Sequence, residues 1–369
     1  MSHVPSHSRN PRIEALRLVA IAGIALFHTF QPWFSAATDG SWAAGPLITW
    51  ALGCVSLLGA YGNHVFFLIS GLFLVPRAAQ ASTTAGYWPD QVRKTGRRAL
   101  TILASVALYA LVALAVSTWV VPVEGVSLHE AGWLVGGLEF VWLYLVFVAL
   151  VPLVGWTWRC MRRPHAAVFV LVSMAFALNA YIAFLSPGEV DRGLLEWRKL
   201  MSAASYLVAF LVGGVLGETQ SRRPARALAA CAAVAVVVEG AAAFMGSSDV
   251  LVALSFKSTS ALSFALAVLS VAYAARSADA ATAPASTPTN HAAALTCRAA
   301  PCVLGFYLAQ SIFSPLWRPL ADALTQAAAA GGDVALLVAG TAFSLALLAV
   351  MLLTDALVRL PLLRWLGLA

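Results

Sequence analysis

Arg17 and His28 lie eleven residues apart inside one long apolar block, and both residue types can do chemistry there. At 3.6 residues per turn, that interval returns to nearly the same helix face. At 1.5 Å per residue, it sets the two side chains about 16 Å apart along one stripe. An ionisable side chain at the depth of His28 is costly in a bilayer, and by default it marks a functional position facing a bundle interior. A neutral imidazole bonded to a neighbouring helix would also account for it. As chemistry, an imidazole with its ordinary pKa of about 6.5 is the commonest general base.

A second group follows in Gly62-Asn63-His64-Val65-Phe66-Phe67-Leu68-Ile69-Ser70-Gly71. Small residues in an aromatic run let another backbone or an acyl chain approach closely. Ser70 is a nucleophile by type, although a hydroxyl on a helix usually bonds its own backbone. Arg93, Lys94, Arg97 and Arg98 then open the third helix, and the four-residue spacing pairs Arg93 with Arg97 and Lys94 with Arg98 on shared stripes. Two readings stay open for them. One is anchoring to anionic headgroups on the cytoplasmic side. The other is a clamp for the phosphates of a cytoplasmic donor such as coenzyme A, whose geometry guanidinium groups match.

The elements that hold these residues are set by composition. Of the 369 residues, 61% are hydrophobic and 11% charged, against roughly 25% charged in a soluble globular protein. A bilayer-spanning helix needs about 20 predominantly apolar residues. Blocks of that kind run near 14–35, 46–76, 99–121, 133–156, 166–186, 200–218, 227–245, 250–275, 300–320 and 333–355. The expectation is one all-α, polytopic membrane bundle of about ten helices over residues 1–369, in which Gly53, Gly59 and Gly62 give the overlong second block either a tilt or a break near Tyr61. The first block has the look of a signal-peptide core behind Arg9, Arg12 and Arg17. It continues through His28, Phe30 and Trp33 without a small-residue cleavage site, so it is kept as a mature helix.

The net charge of +7 acquires meaning from position. With both termini cytoplasmic, eighteen of the twenty-three basic residues fall on the cytoplasmic side, and Arg192, Arg198, Lys199, Lys257 and Arg318 do not. That asymmetry fits the positive-inside rule and not a nucleic-acid partner. The five cysteines show neither zinc spacing nor a disulfide framework, and no metal is expected. Residues 277–294, rich in Ala, Thr, Pro and Ser, read as a flexible cytoplasmic linker between the eighth and ninth helices. Glu239 and Lys257 each lie nine residues from Ser248, at equal depth in an antiparallel hairpin, and are expected to pair.

Taken together, these motifs resemble the membrane-bound acyltransferase-3 family, bacterial inner-membrane proteins that move acetyl or succinyl groups onto glycans and other envelope molecules. Arg12-Ile13-Glu14-Ala15-Leu16-Arg17 followed by Phe27-His28 is similar to that family's first helix, Phe66 to Gly71 to its second-helix signature, and the basic opening of the third helix also fits. Gly305-Phe306-Tyr307-Leu308-Ala309-Gln310 is similar to a ninth-helix pattern that usually ends in histidine. Gln310 is therefore a departure, as is His64, where aspartate or proline is more usual and where an imidazole offers a second base.

The resemblance implies an O-acyltransferase. An acyl group, acetyl before others, would pass from cytoplasmic acyl-coenzyme A to a hydroxyl of an envelope glycan or lipid-linked saccharide, with His28 as general base. Arg17 would hold Glu14 or a donor phosphate at the inner mouth. An exporter of a glycan or glycolipid is the alternative, since a ten-helix bundle with buried polar residues would look similar.

Overall fold

The computed structural model describes residues 10–127, 129, 132–185, 194–219, 224–255, 259–276 and 291–368. Among them every regular element is helical: α1 (Pro11–Asp39), α2 (Pro46–Ala81), α3 (Tyr87–Trp119), α4 (Gly132–Gly137), α5 (Glu139–Cys160), α6 (Pro164–Ala180), α7 (Leu194–Glu218), α8 (Pro224–Phe244), α9 (Ser248–Ser255), α10 (Ala261–Arg276), α11 (His291–Ala299), α12 (Val303–Ile312), α13 (Ser314–Ala329), α14 (Asp333–Leu357) and α15 (Arg359–Trp365). Eight helices are long and apolar enough to cross a membrane. A bent pair built from α11 to α13 and the shorter apolar stretch Ala261–Ala275 stand beside them. The protein is a multi-pass membrane bundle.

Its centre is α2. Helices α1, α5, α7, α8, α9 and α10 all pack on it, and 72% of its most apolar window is buried against 11% for the peripheral α6. Of the two alternatives for the overlong block, the break near Tyr61 does not occur: α2 runs unbroken for 36 residues. Its glycines serve close approach instead. A Cβ at Gly71 would overlap the carbonyl of Phe210 on α7, and one at Gly213 would overlap the carbonyl of Leu68 on α2. Small residues at such crossings let helix backbones touch, and dispersion between them drives association where lipid supplies no hydrophobic contrast.

Two further spans differ from the hydropathy reading. The block at 250–275 is two helices, α9 and α10, with Thr259 and Ser260 outside both. The Ser260 hydroxyl bonds the Leu254 carbonyl and accepts from the Ser263 amide at 3.1 Å, which caps the start of α10. The block at 300–320 is bent by 77° between α12 and α13. Pro315 has no N–H for the Ser311 carbonyl, and the Ser314 hydroxyl bonds that carbonyl at 2.9 Å. Trp317 Nε1 donates to the Gln310 carbonyl at 2.9 Å. The bend thus has its loose backbone acceptors satisfied.

The linker expected over 277–294 falls largely outside the described residues, and its last four residues belong to α11. Lys257, Arg192 and the side chain of Arg198 also lie outside them.

Candidate functional site

Helix α1 opens with a defined N-cap, since the Asn10 side chain accepts from the Arg12 amide at 3.0 Å and Pro11 occupies the first turn. One turn further in, Arg17 Nη1 reaches both Glu14 oxygens, at 3.0 and 3.2 Å. Glu14 is buried and Arg17 half-buried. Arg17 lines a cavity of about 300 Å³ together with Phe66, Ser70, Arg98, Thr101, Tyr144 and Pro301, among others. Within it the Ser70 hydroxyl donates to the Phe66 carbonyl at 2.9 Å, so its proton is held by its own helix.

The basic opening of α3 divides. Arg98 lines this cavity. Arg97 turns the other way and donates to the Gly367 carbonyl at 3.0 Å. Thr101 Oγ1 is within 3.0 Å of both the Leu368 carbonyl and the Arg97 carbonyl. These contacts tie the C-terminal turn to α3. Arg93 and Lys94 are exposed.

One buried cluster beside this cavity escaped the sequence reading. Arg359 holds Asp355 through two bonds, Nε to Oδ1 at 2.6 Å and Nη2 to Oδ2 at 2.8 Å. Nη2 also donates to the Pro301 carbonyl at 2.8 Å, and Tyr109 donates to Asp355 Oδ1 at 2.8 Å. Gly305 makes room for it, because a Cβ there would overlap the Asp355 carboxyl. The network ties α3, α14, α15 and the turn before α12 to one another beside the cavity wall, to which Pro301 belongs. Its signal is the four-residue spacing of Asp355 and Arg359, whereas the charge pattern counts Arg359 only as one of the cytoplasmic basic residues.

His28 stands in a different cavity, of about 390 Å³. Its walls include Phe27, Asn63, Phe140, Tyr206, Tyr307, Gln310 and Ser311, with Glu139 and Lys199 paired at 2.9 Å and both about half exposed. Asn63 Nδ2 donates to the Tyr206 hydroxyl at 3.2 Å. The His28 ring meets Phe27 edge-on at 5.1 Å, and its carbonyl accepts from Arg318 Nη1 at 3.4 Å.

Between the two cavities lies a set of four rings. Phe66 and Tyr144 line the Arg17 side, while Phe140 and Tyr307 line the His28 side. Phe140 stacks on Tyr307 at 4.4 Å, and Phe66 meets Tyr144 at 4.8 Å, Phe140 at 5.0 Å and Tyr307 at 5.4 Å. Rings at these separations and tilts are in favourable edge or offset contact. Rings from the two walls thus touch one another and form an aromatic septum between the cavities.

Two other polar residues lie apart from the cavity walls. His64 is completely buried, with Nδ1 3.2 Å from Ser263 Oγ and its ring edge-on to Phe264 at 5.4 Å. It faces α10, not the cavity that holds His28. Glu239 is also completely buried and accepts from Ser255 Oγ at 2.6 Å. The Lys257 expected beside it lies outside the described residues.

A family model described as an acyltransferase domain matches residues 10–354. No curated protein and no solved structure matches the chain.

Proposed function

The chain belongs to the membrane-bound acyltransferase-3 family, and from that premise we propose that it is an O-acyltransferase of the bacterial inner membrane with both termini cytoplasmic. It moves an acyl group, acetyl before others, from acyl-coenzyme A to a hydroxyl of an envelope glycan or lipid-linked saccharide. The observation that supports this reading best is that one continuous helix, α1, carries Arg17 into one cavity and His28 into another. A donor and an acceptor that arrive from opposite sides need such a pair of chambers.

In this reading the thioester arm enters the Arg17 cavity past Arg98. The nucleotide phosphates stay at the exposed cationic rim formed by Arg93 and Lys94, where guanidinium and ammonium groups meet them. The acceptor occupies the His28 cavity, whose aromatic walls and amides at Asn63 and Gln310 suit a polyol. A sugar hydroxyl is a weak nucleophile at neutral pH. His28 takes its proton as the oxygen attacks the thioester carbonyl, a contribution of roughly 100- to 10,000-fold. Collapse of the intermediate expels the coenzyme A sulfur, which takes up that proton.

The test uses full-length protein in lipid nanodiscs with radiolabelled acetyl-coenzyme A and glycolipid extracted from the native membrane. Label incorporation accompanied by release of free thiol is expected. The same rates in a His28→Ala preparation, or none in the wild type, would overturn the reading.

A further inference from the structure

Tyr307 has a hydroxyl that the fold does not use. It is buried, and its oxygen has no hydrogen-bond partner among the described residues. The other enclosed tyrosines behave differently. Tyr87 donates to the Pro152 carbonyl at 2.6 Å, Tyr109 donates to Asp355, and the Tyr206 hydroxyl accepts from Asn63. Packing does not call for the oxygen either. The Tyr307 ring lies nearly parallel to Phe140, with an interplanar angle of 12°, and meets Phe66 edge-on. A phenylalanine would make the same contacts without leaving a buried donor unsatisfied, which is costly in a low-dielectric setting.

Its place explains what the donor is for. Tyr307 is a member of the aromatic septum and at the same time lines the His28 cavity, together with Gln310 one turn along α12. Any carbonyl that is delivered from the Arg17 side and attacked from the His28 side must react at this septum. We propose that Tyr307 is a catalytic residue whose hydroxyl donates a hydrogen bond to the oxyanion of the tetrahedral intermediate. The inference rests on the acyltransferase reading above.

The step balances as follows. The acceptor oxygen forms a bond to the thioester carbon while its proton passes to His28. The carbonyl electron pair moves onto oxygen, which accepts from Tyr307. The pair then returns, the carbon–sulfur bond breaks, and the thiolate takes the proton from His28. Tyr307 keeps its own proton throughout. A donor with no partner in the resting state loses no interaction when the oxyanion forms, which is the condition for preorganised stabilisation.

The decisive comparison is Tyr307→Phe against wild type and His28→Ala, using full-length protein in nanodiscs, radiolabelled acetyl-coenzyme A and extracted membrane glycolipid. We expect the maximal rate of Tyr307→Phe to fall roughly 100- to 1,000-fold. The Michaelis constant for acetyl-coenzyme A should stay within about twofold, and the melting temperature should be equal to or above that of wild type. A structural role would give the opposite pattern, with lower melting and an unchanged rate per folded molecule, and would overturn the proposal. So would a wild-type maximal rate in Tyr307→Phe while His28→Ala is inactive, which leaves the acyltransferase reading standing. A wild type that transfers no label removes both.

Discussion

Arg17 and His28 share one unbroken helix, yet each opens into its own cavity, with the rings of Phe66, Phe140, Tyr144 and Tyr307 between the two chambers. In the proposed reaction the eleven-residue interval separates the inner mouth that receives the donor from the base that serves the acceptor. It spans about 16 Å of helix axis, the depth of half a hydrocarbon core. Chemistry and donor binding should therefore separate cleanly in variants of these two ends.

His28→Ala is expected to abolish acyl transfer with little loss of assembly. The ring is half-buried and makes an edge contact with Phe27, whereas the Arg318 bond is to the backbone carbonyl and survives the substitution. Transfer should drop at least 100-fold, while size-exclusion behaviour and melting stay near wild type. Retained transfer would take His28 out of the mechanism.

The cations of α3 should part company. Arg98→Ala removes a group from the cavity wall and is expected to raise the Michaelis constant for acetyl-coenzyme A about tenfold, with Arg98→Lys recovering only part because an ammonium lacks the planar fork. Arg97→Ala cuts the bond to the Gly367 carbonyl and should instead loosen the C-terminal turn, read as faster hydrogen exchange over residues 359–368 with the donor constant little changed. Equal donor constants for both variants would mean that Arg98 does not meet the donor.

Much of this arrangement was legible in the sequence, and the parts that were not have physical reasons. Apolar blocks announce bilayer helices because backbone groups in hydrocarbon must bond within their own segment, so the bundle could be drawn from hydropathy. The interval from Arg17 to His28 gave a shared face from helix geometry alone. Gly59 and Gly62 are compatible with a tilt or a break in α2 and equally with a helix crossing, and only the partner helix, here α1, tells these apart. The bend after Phe313 had its sign in Ser314-Pro315, which hydropathy averages over. No local pattern could pair Arg97 with a carbonyl 270 residues away. Asp355 and Arg359 were visible at helical spacing, and their burial was the missing fact.

That burial leads to a stability prediction. Arg359 and Asp355 are 3% and 0% exposed, and losing one partner of a buried pair leaves an uncompensated charge worth roughly 3–5 kcal/mol. Arg359→Met should therefore melt well below wild type. Combining it with Asp355→Asn should restore much of the loss, because the amide is neutral and can still accept from Tyr109. Losses that simply add in the double variant would show that the two side chains do not depend on each other.

The septum makes the last prediction, because in the proposed reaction it keeps the thioester apart from the His28 cavity, where the Glu139–Lys199 pair is about half exposed. Phe66 touches Phe140, Tyr144 and Tyr307 and lines the Arg17 cavity, so shortening it should join the chambers. Water can then stand where only an acceptor hydroxyl should. Phe66→Leu, which limits the packing loss, is expected to raise acceptor-independent release of coenzyme A from acetyl-coenzyme A several-fold and to lower the fraction of turnovers that end on glycolipid. Phe67 is the matched control: it contacts Phe140, Tyr206 and Phe147 from a fully buried position and is absent from both cavity walls. Phe67→Leu should cost stability without uncoupling. If both variants leak equally, loosened packing and not an opened septum lets the water in, and the two cavities are not kept apart by Phe66.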